Sequence, residues 1–62
     1  PTVLNAANEK AVAMFLDRKI RYLQIPEIIG TCMEHHKIIE NPSVEEILNT
    51  EQETYEFIKN RW

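Results

Sequence analysis

Glycine is nearly missing from this chain. A single one, Gly30, excludes a glycine-rich phosphate loop, which needs several residues free to adopt positive φ and to bring backbone amides close to a nucleotide. Cysteine is equally scarce. With Cys32 alone no internal disulfide can form, and one unpaired thiol fits a reducing compartment. Excess positive charge is also lacking: seven Lys and Arg stand against ten Asp and Glu, for a net charge of -3. Arg18, Lys19 and Arg21 form a small cluster rather than a stripe that tracks phosphates, so a nucleic-acid partner is not expected. No apolar run is long enough for a signal peptide or a membrane span. No segment alternates with period two for long enough to be a strand, and there is no internal repeat.

Length sets the next limit. Sixty-two residues make one domain at most. A chain of this size buries only about 60% of the surface its unfolded form exposes. Its core rarely supplies more than about 3–5 kcal/mol, and small domains add disulfides or a metal, or lean on a neighbour. The disulfide is excluded and no clustered histidines and cysteines suggest a structural metal, which leaves the neighbour. The first residue is Pro1 rather than methionine, which fits a processed chain or a segment of something longer.

What remains is helical periodicity. Thr2 to Arg18 reads as a first helix, with Pro1 at its start, where a missing donor costs nothing. Leu4, Ala7, Ala11, Met14 and Phe15 fall on one face, widened by Val12 and Leu16. The alanines at 6, 7, 11 and 13 favour helix and permit close approach of another element. Ile25 to Lys37 reads as a second helix with the stripe Ile25, Ile28, Ile29, Cys32, Met33 and His36. Gly30 in its middle marks either close packing or an unfavourable choice costing about 1 kcal/mol against alanine. Asn41-Pro42 stops any helix. Ser43-Val44-Glu45-Glu46 has the form of a capping box, and Thr50-Glu51-Gln52-Glu53 repeats it. The expectation is a short helix over 44–49 and another over 51–61, with Tyr55, Ile58 and Trp62 on its apolar face. The alternative is one bent helix from Val44 to Trp62.

Few residues suggest chemistry. Asn5, Asn8 and Glu9 share a helix face at spacings of three and four. They form either a recognition patch or, more commonly for such side chains, a set that satisfies backbone groups of an adjoining segment. Cys32 and His36 are four apart and supply at most half of a zinc site, with no second pair to complete four ligands. His35 points about 100° away from His36 on a helix, and Glu34-His35-His36 lacks the metalloprotease spacing. Cys32 among isoleucines reads as a buried, inert thiol, with His36 at the core edge. Glu45, Glu46, Glu51, Glu53 and Glu56 read as a solvated face and helix caps.

One pattern is distinctive. Leu4-Asn5-Ala6-Ala7-Asn8-Glu9, followed by Ala11-Val12, Phe15-Leu16, Lys19-Ile20, Ile25-Pro26 and Pro42-Ser43-Val44-Glu45-Glu46-Ile47-Leu48, resembles the C-terminal domain of 1-deoxy-D-xylulose 5-phosphate reductoisomerase across nearly the whole chain. Thr31-Cys32 and Glu34-His35 resemble plastid-type members. The resemblance implies a parent enzyme with a dinucleotide-binding domain for NADPH, a central catalytic domain with a divalent metal (Mg2+ or Mn2+), and a small helical bundle beside it, in a homodimer. The family's catalytic, nicotinamide and metal motifs lie in the first two domains. No residue here inherits such a role, and Asn5, Asn8 and Glu9 are carried forward as structural or domain-contact candidates. Three departures stand out. Gln24 replaces an aspartate before Ile-Pro, Arg18 replaces a glycine before Lys-Ile, and Glu51 with Tyr55 replaces an acid and an arginine four apart.

The expected architecture is therefore all-α, a small three- to four-helix bundle forming one domain over 1–62. It would bind no cofactor itself and would take the enzyme's own central domain as partner, in a soluble protein of bacterial cytoplasm or a plastid-type organelle. The competing reading is a free-standing helical interaction module whose second helix takes a partner helix in a groove. A zinc module through Cys32 and His36 is a third.

Overall fold

A computed structural model describes residues 1–62 as three helices and no strand: α1 (Thr2–Leu16), α2 (Gln24–His35) and α3 (Val44–Arg61). The longest element, α3, runs roughly 27 Å at 1.5 Å per residue and sets the long axis of a body measuring 34 × 18 × 17 Å. Helix α1 is the strut. It packs on both α2 and α3, which meet each other far less. Its inward face is Val3, Ala7, Ala11 and Met14, closed by Ile28 and Cys32 of α2 and Ile58 of α3. Ala6 is buried as well. The small side chains let two partner helices approach one rod, and the branched residues on those helices fill the space.

That inward face is rotated from the expected one. Val3 is buried, while Leu4 stays 40% exposed at the edge of a surface groove. Leu4 had the stronger hydrophobic label, but the line through Ala7 and Ala11 selects position 3, four residues before Ala7.

The helix ends are where backbone chemistry decides. α1 stops at Leu16, not Arg18, and closes in a Schellman turn. The Lys19 amide donates to the Met14 carbonyl at 2.9 Å and the Arg18 amide to the Phe15 carbonyl at 3.0 Å. This turn needs a left-handed residue, and Arg18 provides it with φ 60. α2 opens on Gln24, whose side-chain Oε1 accepts from the Arg21 amide at 2.7 Å. Pro26 sits in that first turn, where no intrahelical donor is needed. α2 ends at His35 rather than Lys37, because the His36 backbone turns extended (φ -94, ψ 144). Gly30 is exposed, with nothing within 4 Å of where a Cβ would stand, so close packing is not its reason. Asn41 takes φ 49 in the turn before Pro42, a conformation asparagine tolerates.

Ser43 caps α3 as a full capping box: its Oγ accepts from the Glu46 amide at 3.1 Å, and Glu46 Oε1 accepts from the Ser43 amide at 3.0 Å. The second box, at Thr50, does not form. The helix runs unbroken through it, so the separate helices over 44–49 and 51–61 are one element. A break there would orphan carbonyls on one side and amides on the other, and no proline or glycine compels it. Instead the Thr50 carbonyl accepts the hydroxyl of Thr54 at 2.7 Å.

Because Arg18 holds a left-handed backbone that costs an L-residue about 1–2 kcal/mol, Arg18→Gly is expected to stabilise the protein by about 1 kcal/mol. A denaturation midpoint left unchanged or lowered by this substitution would contradict the assignment of strain.

Candidate domain-contact surface

The core is small for the apolar surface the chain carries. Only 9 of 62 residues are buried, and the exposed large apolar side chains are as numerous: Leu4, Leu16, Tyr22, Leu23, Met33, Ile38, Ile39, Val44 and Leu48. Single exposed apolar residues are ordinary, but gathered ones mark contact sites. They gather in two places here. Leu4, Met33, Ile38 and Ile39 line a groove of about 500 Å³ where the start of α1 meets the α2–α3 connection. Tyr22 and Leu23 line a shallower surface between α1 and α2 with Arg21 and Glu27.

The three polar candidates on α1 separate. Asn5, Asn8 and Glu9 are all exposed, and none of their side chains takes part in a hydrogen bond or ion pair within the chain. They do not cap or bridge any neighbouring segment of these 62 residues. Glu9 alone meets another helix, through its field. The Tyr55 phenol is pushed above its ordinary pKa, first by burial and then by the carboxylates of Glu9 and Glu51. The position at which the resemblance sets an arginine thus faces two acids and holds a neutral phenol.

Cys32 is fully buried, and burial raises its thiol pKa, which keeps it protonated and a poor nucleophile. His36 is half-buried. Its Nδ1 lies 3.0 Å from the Cys32 carbonyl oxygen, and its backbone amide donates to the same oxygen at 3.0 Å. The ring therefore serves the end of α2. His35 stacks on Phe57 of α3 with ring centroids 4.2 Å apart and planes 19° from parallel. His36 meets the same ring edge-on at 5.4 Å, and the Arg61 guanidinium lies 5.3 Å from its centroid. This aromatic clasp joins the end of α2 to the end of α3, where few other contacts exist. The spacing of residues on separate helices gave no sign of it. No group of three or more His, Cys, Asp and Glu side chains converges. Gly30 lies within α2 and makes no phosphate loop.

Thr54 is the residue that hydrophobic patterning passes over. It is fully buried in α3 where Tyr55 was expected, and its hydroxyl is satisfied by the Thr50 carbonyl. No buried side-chain polar atom lacks a partner. The γ-methyl of threonine packs like valine once its hydroxyl bonds back along the helix.

Three helices around an alanine-faced strut, with apolar side chains gathered outside the core, define a small all-α bundle. The DXP reductoisomerase C-terminal domain family matches residues 1–57, and the chain belongs to that family. The 1-deoxy-D-xylulose 5-phosphate reductoisomerase of Agathobacter rectalis is 61% identical over 62 residues, which is 100% of this chain and 16% of the relative. That of Lachnospira eligens is 56% identical over the same 62 residues and 16% of its length. One from Thermoanaerobacter sp. is 48% identical over 61 residues, 98% of this chain and 16% of its own. The chain thus spans about a sixth of the length of these curated relatives. No solved structure matches it. No helix is long and apolar enough to cross a membrane.

Tyr55→Arg is expected to place a cation between Glu9 and Glu51 and to stabilise the protein by about 0.3–1 kcal/mol at low salt, with the gain fading at high salt. The sign with pH follows from the raised phenol. The folded state holds that proton more tightly, so its contribution is full below the ordinary pKa near 10 and is lost as pH rises through the folded value. The arginine variant should lose less stability above pH 10 than the parent protein does. Thermal unfolding across pH and salt checks both, and a destabilised variant at neutral pH and low salt would refute the pairing.

Proposed function

We propose that this chain is the non-catalytic, helical C-terminal domain of an NADPH-dependent reductoisomerase. The enzyme converts 1-deoxy-D-xylulose 5-phosphate to 2-C-methyl-D-erythritol 4-phosphate in the non-mevalonate route to isoprenoids. The observation that carries the reading is 61% identity along the entire chain to a reductoisomerase. The absence of a converging metal-donor set and of a glycine loop supports a role without chemistry of its own.

The contribution is positional. A rigid helical cap holds the shape of the central catalytic domain, and so the orientation of groups that touch substrate. NADPH and Mg2+ or Mn2+ belong to the parent's other domains, and no step of the reaction passes through these 62 residues. The partner is the enzyme's own central domain, within a homodimer, with neither nucleic acid nor membrane involved. Asn5 and Asn8, exposed and without a partner in the chain, are suited to hydrogen-bond that domain, with Glu9 beside them. The enzyme is a soluble one, of bacterial cytoplasm or a plastid-type organelle.

Two preparations test the role: the 62-residue chain alone, and the parent enzyme lacking it, each with NADPH, 1-deoxy-D-xylulose 5-phosphate and Mg2+. The chain alone is expected to oxidise no NADPH, and the truncated parent to fall at least tenfold in kcat/KM. Turnover by the isolated chain, or full activity of the truncated parent, would overturn the assignment.

A further inference from the structure

We draw no further inference here: the strongest candidate, the exposed apolar patch of Leu16, Tyr22 and Leu23 beside the basic Arg18, Lys19 and Arg21 at the α1–α2 connection, carries nothing, because nothing in the structure shows what covers it.

Discussion

The structure depends on how closely two helices can approach α1. Ala7 and Ala11 are both fully buried on its inner face, and Ile28, Cys32 and Ile58 reach them from opposite sides. Small residues on a central rod with branched residues on its neighbours form a core with few side chains, because each is held by backbone on one side and packing on the other. The arrangement also limits the core. With α2 and α3 meeting mainly through α1, there is room for a handful of large residues and no more. The aromatic clasp of His35, His36 and Phe57 supplies much of what α2 and α3 share directly.

A core that small leaves apolar residues over. They stand in the groove of Leu4, Met33, Ile38 and Ile39 and around Tyr22 and Leu23, and this surface matches a domain that covers about a sixth of its relatives' length. The same economy shows in the polar and nucleophilic side chains. The one thiol is used as a core residue with its proton held by burial, and one imidazole closes a helix end through the Cys32 carbonyl. Few polar side chains converge, and those that do, Glu9, Glu51 and Tyr55, share a field rather than a ligand.

Periodicity and caps made most of the fold legible from residues. The apolar runs of the first two helices appear within two residues of their expected ends, Asn41-Pro42 lies in the connection before α3, and the Ser43–Glu46 box opens that helix. The second box at Thr50 was legible too, but wrongly, because a capping motif is a local preference and an unbroken helix ladder outweighs it. Thr54 was hidden because a threonine reads as polar until its hydroxyl finds a carbonyl four residues back. Arg18 was visible only as a departure from a glycine, and its φ of 60 explains why glycine suits that position. For the contact surface, sequence showed Asn5, Asn8 and Glu9 on one face. It could not show that Ile38, Ile39, Met33 and Leu4 form a single groove, since they come from two helices and a connection.

The central claim is that the alanine face of α1 is filled and tight. Ala11→Leu inserts three heavy atoms between α1 and its partners, whereas Ala13→Leu adds them on the exposed side of the same helix. Thermal unfolding of the two variants is the most direct measurement. The account predicts a loss of about 1–3 kcal/mol for the buried site and a change within about 0.5 kcal/mol for the exposed one. Equal stability of the two variants would contradict it.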